Sequence, residues 1–414
     1  MEHLLEIIFI DDASEPPAST ILDKMNNNRI KVIRNEERAG LIRSKTTGAR
    51  AAQGDLLVFL DAHIRAYPGW LEPMIRLTSD NYRRVVVPVI PVLDGNTWEQ
   101  VKNYEGVKMI FDWKMDFIWY VDPAPKDSRF DYVPMMSGGL LAITRQWFFE
   151  TGAYDEGMLQ WGGENVEQSI KIWLCGGEIV VARNSRVGHV FRDVSPYVIN
   201  TTQIHVNKAR AIDVWFDEYA NYYYRANPMD RDRRSPKESL ESRFQVKKDL
   251  NCKPFSTYVE KFRDIMIQED LLSTEVFRIR STKTGLCVTL FPNGTLKGSE
   301  CDAKDRGQVF IPDSWGRLRS GKFTDDCWAQ KSPLGVGLCS AHVPEQKNWL
   351  MDEVSGHLSR ADGAEDEKEG KRIKEGRTLC VHMNSKGEIS MNNSCEDGEF
   401  EKFNTAPYSH DLYK

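Results

Sequence analysis

The stretch LLVFLDAHIRAYPGWLEP, residues 56–73, runs five apolar residues straight into Asp61 and then His63. A carboxylate at the end of a buried strand is not core filling, because burying an unpaired charge is costly. Side chains alternate along a strand, so Asp61 and His63 are expected to project to one side. In an open α/β sheet the ends of parallel strands face the ligand crevice. Two readings are open: Asp61 caps the following turn with His63 on the surface, or the two bind a divalent metal. Two protein ligands leave room for a third and for substrate oxygens, and mixed carboxylate and imidazole favour manganese over magnesium or calcium. SRVGHVFR offers His189, at the end of another strand-like segment, as a third ligand.

A second polar constellation lies between. MMSGGLLAIT sets Gly138-Gly139 beside a strand, and WGGEN, residues 161–165, stands just before a helix. Gly162 and Gly163 permit a tight loop, and Glu164 and Asn165 sit where a helix N-terminus favours anions and donors. A plain capped helix start leaves the preceding Trp-Gly-Gly unexplained.

These residues need a sheet to hold them. Strands are expected at LLEIIFID, IKVIRN, DLLVFLDA, RVVVPVIPV, GGLLAIT and GEIVVAR. Continuous apolar runs separated by helical lengths imply an α/β, Rossmann-like domain with a mainly parallel sheet. Apolar spacing from Val206 to Tyr223 predicts one amphipathic helix. MDRDRRSPKESLESR then reads as an exposed connection. Across 414 residues, 55 basic against 61 acidic residues give a net charge of −6, no basis for nucleic acid or an anionic membrane as partner. No apolar run approaches the roughly 18 residues that span a bilayer. The N-terminus reads as a strand already under way rather than a signal peptide, so upstream sequence is expected.

Of eight cysteines, six crowd into 287–395 as Cys287/Cys301, Cys327/Cys339 and Cys380/Cys395. Free thiols in a cytosolic protein are one reading; the even spacing favours disulfides in an oxidising compartment. Three sequons, at Asn200, Asn293 and Asn392, fit that compartment. An aromatic follows each pair (Phe310, Trp349, Phe403), so three repeats of about 40–50 residues pack around a shared core, the arithmetic of an all-β β-trefoil. RADGAEDEKEGKRIKEGR is a charged insertion in it, expected to be a loop.

GLIRSKTTGARAAQGDLLVFLDAH, FDW, MMSGGLLAI, GAYDEGMLQWGGEN, WLCGGEI, VGHVFR and VWFDEY together resemble the polypeptide N-acetylgalactosaminyltransferases, retaining enzymes that start mucin-type O-glycans. The resemblance implies a GT-A catalytic domain at 1–225, a connecting segment at 226–272 and a ricin-type β-trefoil lectin domain at 273–414. It implies Mn²⁺ on Asp61, His63 and His189, holding the diphosphate of UDP-GalNAc, and Ser/Thr hydroxyls of proteins as acceptors. Asp12 and Arg38 match positions that contact uridine and the diphosphate region, Gly139 lets backbone approach the sugar, and Trp161, Glu164 and Asn165 shape its pocket. Arg192 and Tyr197 match a closing flap; Phe111, Trp113 and Phe191 match an apolar wall for the acceptor peptide. Family members link the CGG and CKPF segments, which implies a Cys175–Cys252 disulfide. A Golgi-lumen protein, anchored to the membrane through a segment upstream of Met1, is implied as well.

The sequence also departs from the family pattern. It starts one strand late, its flap between Tyr197 and Trp215 is short, and Asn184 replaces a family cysteine. The sugar-holding Asp of each lectin repeat is replaced by Thr289, Ala329 and His382. The reading is therefore a GalNAc-transferase, the alternative a catalytically silent member that binds or regulates in the Golgi.

Overall fold

A computed structural model describes residues 3–407 except 107, 121–128, 193–197, 270, 273–274, 313–316, 321–325, 331–333, 339–345, 347–348, 352–354, 362–377 and 396–398. The chain divides into two compact units, Met1–Phe262 and Arg263–Lys414. Among the described residues no helix is long and apolar enough to cross a membrane.

In the first unit β1 (Ile7–Asp11) runs parallel to β2 (Ile30–Arg34), and among the described residues these two form a sheet of their own. The following strands are β3 (Leu56–Phe59), β4 (Ile64–Ala66), β5 (Arg84–Leu93), β6 (Gln100–Gly106), a hairpin of β7 (Lys108–Phe111) and β8 (Phe117–Tyr120), β9 (Phe130–Tyr132), β10 (Leu141–Thr144) and β11 (Glu178–Val190). The main sheet has the order β3-β10-β5-β11-β4, with β6 on β5 and β9 on β11. Each of the six expected strand segments contains a strand. Their directions correct the expectation of a mainly parallel sheet. In the main sheet only the β5–β11 pairing is parallel, with β3 running in their direction; β10 opposes both its neighbours, and β4, β6 and β9 pair antiparallel too. A continuous apolar run reports burial on two faces, which β10 has, and says nothing of strand direction.

Helices α1 (Leu41–Ala51), α2 (Leu71–Asp80), α3 (Glu164–Leu174) and α4 (Thr201–Trp215) flank the strands. Met74 and Leu77 of α2 form a core with Val86, Ala142 and Val180, the Met, Leu and Val side chains each contributing roughly 1.5–3 kcal/mol by burial. The helix expected to reach Tyr223 instead stops at Trp215. Asp217 takes φ +48° there, and its carboxylate accepts from Lys247 Nζ (2.6 Å) and the Phe255 amide (2.8 Å).

Those bonds bring residues 226–262 into the first unit, where the charge pattern presents an exposed connection. Asp230 is buried and accepts from Tyr223 Oη and Arg233. Phe255 stacks on Phe216 and Tyr258 on Phe111. The Cys175–Cys252 disulfide is present, with Cα atoms 4.1 Å apart, and beside it the Lys253 amide donates to Leu174.

From Glu275 onward the described elements are strands and short 3-10 turns. They run β12 (Glu275–Ser281), β13 (Cys287–Leu290), β14 (Leu296–Ser299), β15 (Phe310–Pro312), β16 (Leu318–Ser320), β17 (Asp326–Ala329), β18 (Gly335–Leu338), β19 (Trp349–Met351), β20 (Leu358–Ala361), β21 (Thr378–Met383), β22 (Ile389–Asn392) and β23 (Phe400–Pro407). Three antiparallel hairpins, β13-β14, β17-β18 and β21-β22, each carry the first cysteine of a pair. All three repeats feed one core, through Val288 and Phe310, Trp328 and Trp349, and Val381 and Phe400. Cys287–Cys301 and Cys380–Cys395 are bonded. Cys327 is disulfide-bonded as well, while Cys339 lies outside the described residues. So do the side chain of Phe403 and most of the charged insertion.

Candidate metal centre and sugar-nucleotide cleft

Asp61 and His63 sit in the turn between β3 and β4, and His189 near the end of β11. Their convergence comes from that turn and from strand pairing, not from alternation along one strand. The chain reverses after Asp61 so that β4 pairs with β11, with His189 opposite Ile64 and the Val190 amide donating to His63 O at 3.1 Å. One ligand atom from each of the three residues then lies within 4.8 Å of the others, so the group could hold a metal ion. His189 Nε2 is 3.4 Å from Asp61 Oδ2, and the two imidazole centroids are 4.5 Å apart. Among the described residues, buried His189 Nδ1 has no hydrogen-bond partner. One carboxylate and two imidazoles suit a borderline divalent ion better than Mg²⁺ or Ca²⁺.

The electrostatics are those of a cation site. Burial pushes Asp61 up, but His189, Lys45 and His63 outweigh it and hold the carboxyl well below the usual carboxylate range. Burial, with help from His189 and Arg192, pushes His63 down to about 4. A neutral imidazole is the ligating form.

Gly139 fits against this carboxylate, since a Cβ there would collide with Asp61. Gly138, at φ +78°, passes so close to Asn165 that a Cβ would lie 2.7 Å from that side chain. The Met136 amide donates to Ser169 Oγ of α3 at 3.1 Å, and the loop is thereby pinned on the helix carrying the second constellation. Glu164 and Asn165, each 5% exposed, begin α3, and Glu164 Oε2 accepts from the Gly162 amide at 2.7 Å. Burial raises the Glu164 carboxyl above its ordinary value, partly offset by Lys45 and that amide. Gly162 and Gly163 slide along α4, where Cβ atoms would press on Ile204 and the Asn207 backbone. That contact accounts for the Gly-Gly before the helix.

Trp161 and Arg38 line one surface hollow with Ile199, Asn200 and Ile204. Asp12 is placed behind them. Its carboxylate accepts from Asn35 Nδ2 and the Ala39 and Gly40 amides, each at 2.8 Å. Gly40 in turn abuts the backbone of Gln160. Asp12 therefore positions the Arg38 loop against the loop of Trp161, with its own oxygens engaged in doing so.

The expected acceptor wall is corrected in one member. Phe111 is fully buried among Phe216, Phe255 and Tyr258, so it is core. Trp113 is half-buried and stacks on Tyr222. Phe191, 45% exposed, packs on His189 and edge-on to Trp119, and Arg192 beside it is exposed. Tyr197 lies outside the described residues.

Sequence reasoning missed Lys45. Its Nζ is 3.4 Å from Asp61 Oδ1 and donates to Gly138 O at 2.8 Å, joining the two constellations. The signal was available: Lys45 stands four residues from Leu41 and from Ala49, on the inward stripe of α1.

Residues 2–148 match the family described as glycosyl transferase family 2, and residues 125–193 that described as the N-terminal domain of galactosyltransferase. Human polypeptide N-acetylgalactosaminyltransferase 14 is 39% identical over 268 residues, covering 62% of this chain and 48% of that protein. Mouse polypeptide N-acetylgalactosaminyltransferase 12 is 36% identical over 375 residues, 84% of this chain and 64% of that one. A crystal structure of GalNAc-T7 with UDP, GalNAc and Mn²⁺ matches at a TM-score of 0.62 and 27% identity, covering 97% of this chain and 76% of that one. The chain spans about half to two thirds of the length of these sequence relatives. In sequence motifs and in the glycosyltransferase fold of its first unit, the chain belongs to the polypeptide N-acetylgalactosaminyltransferase family.

Proposed function

We propose that the protein transfers GalNAc from UDP-GalNAc to Ser/Thr hydroxyls of proteins with retention, initiating mucin-type O-glycosylation. The observation that carries this reading is the meeting of Asp61, His63 and His189 beside the Gly138-Gly139 loop and buried Glu164. Asp61, His63 and His189 would hold Mn²⁺, the ion in the GalNAc-T7 structure. When bound, the ion supplies positive charge where the UDP diphosphate departs, so no general acid is needed there. Gly139 admits the sugar close to the backbone. Glu164, with its raised carboxyl, is fitted to hydrogen-bond sugar hydroxyls, and Asn165 and Trp161 border the same space. Phe191 and Trp113 offer apolar surface to an acceptor peptide.

The second unit reads as a ricin-type β-trefoil lectin that keeps its core and has lost its sugar contacts. Thr289 Oγ1 is buried against Ser299 Oγ at 2.7 Å, and His382 Nε2 engages Ser394 O at 2.7 Å. The disulfides favour the secretory pathway, and we assign the protein to the Golgi lumen, membrane-held in its full-length form. A silent, binding-only member is the second reading; the engagement of the Asp12 carboxylate with Asn35 and the Ala39 and Gly40 amides favours it.

The deciding test is UDP release from UDP-GalNAc with a Ser/Thr-containing peptide, with and without Mn²⁺. Mn²⁺-dependent glycopeptide formation is expected. Tight Mn²⁺ and UDP binding with no glycopeptide would establish the silent reading.

A further inference from the structure

The three sequons are equivalent as triplets and very different in place. Asn200 caps α4, its Oδ1 accepting the Gln203 amide at 3.1 Å. Its Thr202 is already helical, and Asn200 borders the hollow of Trp161 and Arg38; a glycan there would crowd that hollow. Asn392 closes β22 opposite Cys380, three residues before Cys395, which is bonded to Cys380. Its Oδ1 takes the Ser394 amide at 2.9 Å, and His382 engages the Ser394 carbonyl.

Asn293 has neither restriction. It stands exposed at the tip of the β13-β14 hairpin, where Gly294 takes φ +77° and donates to Phe291 O. The Thr295 hydroxyl donates to Asn293 Oδ1 at 2.7 Å, and the Thr295 amide approaches the same oxygen at 3.2 Å. Among the described residues Asn293 Nδ2 has no partner. The turn therefore sets hydroxyl against amide oxygen and leaves the nitrogen accessible. The neighbouring Val336 amide reaches the Gly294 carbonyl, so packing uses backbone and leaves the Asn293 side chain outside.

We infer that Asn293 is the N-glycosylation site of this protein and that Asn200 and Asn392 stay unmodified. In the reaction Asn293 Nδ2 bonds to the anomeric carbon of an oligosaccharide carried on a polyprenyl pyrophosphate. The anomeric C–O bond breaks, the pyrophosphate leaves with the electron pair, and one amide proton goes to a base of the transferring enzyme. A glycan at this hairpin tip is solvated and displaces no packed side chain. The inference rests on the secretory assignment made above, but not on GalNAc transfer.

The full chain behind a cleavable secretion leader, made in mammalian cells, tests it. Peptide mapping should find the glycan on the Asn293 peptide. Asn293→Gln should remove one enzyme-sensitive mobility step, which Asn200→Gln, Asn392→Gln and Thr295→Ser should keep. Translation with microsomes reads the same step even for a variant that is not secreted. An unmodified Asn293 peptide, or a mobility step that survives Asn293→Gln, overturns the inference. Glycan occupancy is scored without UDP-GalNAc turnover, so a silent transferase would not be mistaken for failure here.

Discussion

The cleft of the first unit and the hairpins of the second both place polar side chains near strand ends, with opposite outcomes. In the cleft, Asp61, His63 and His189 converge while buried His189 Nδ1 has no partner among the described residues. In the hairpins, Thr289 and His382 close on Ser299 and Ser394 within their own repeat. A buried polar atom left open lacks a reason unless something else completes it. A closed one needs nothing further. For these side chains the outcome follows from the placement of partners rather than from residue type, since histidines occur on both sides.

Substitutions can break or sharpen that contrast. Asp61→Ala should cost the most, about 10²–10³-fold in kcat by analogy with loss of one preorganised charge-stabilising group, and Mn²⁺ titration should show binding gone with the melting temperature held. Retained Mn²⁺ affinity would refute the metal assignment. Cys252→Ser should act on the fold instead, lowering stability by about 2–4 kcal/mol in denaturant titrations.

Asp11 tests a closed carboxylate in the first unit. Burial pushes it up, but amides of Ser14 and Ala18 with the Arg34 guanidinium outweigh burial and hold it well below its ordinary range. Its contribution is therefore complete above the ordinary carboxylate pKa of about 4 and lost as the pH falls below that value. Asp11→Asn should cost roughly 1–3 kcal/mol near neutrality, a gap that narrows in acid. A gap independent of pH would exclude the carboxylate as its source.

Thr289→Val should lower stability by about 1 kcal/mol, by leaving Ser299 Oγ short of one partner, with transfer unaffected. The smallest effect is reserved for Lys45→Met. Removing a cation 3.4 Å from Asp61 should tighten Mn²⁺ binding without nucleotide by a few-fold, equivalent to about 0.2–1 kcal/mol. Weaker binding would mean that Lys45 orients the carboxylate rather than competing with the ion.

Much of this was legible in the chain because the signals are local. Six apolar runs announced their strands, and a carboxylate and imidazole closing one of them announced the cleft. Strand direction was not legible: β10 reads identically in either sense, and only its pairing with β3 and β5 fixes it. Nor was the depth of Phe111, because an aromatic beside a turn carries no label for core or surface until Phe216 and Tyr258 close over it. Lys45 went unseen for the opposite reason. A lysine on a helix is ordinary, and only the fold brings the Asp61 carboxylate, from the turn after β3, to its ammonium.

The bond between Cys175 and Cys252 closes a loop of 77 residues that contains His189, the stretch around Val198 and all of α4. Val198 is 88% exposed. A protease that cuts beside it makes two chains held as one molecule, since one half carries Cys175 and the other Cys252. Such nicked protein migrates at full mass without reductant and separates into two fragments with it. Scission there could pass unnoticed in any preparation judged only under non-reducing conditions.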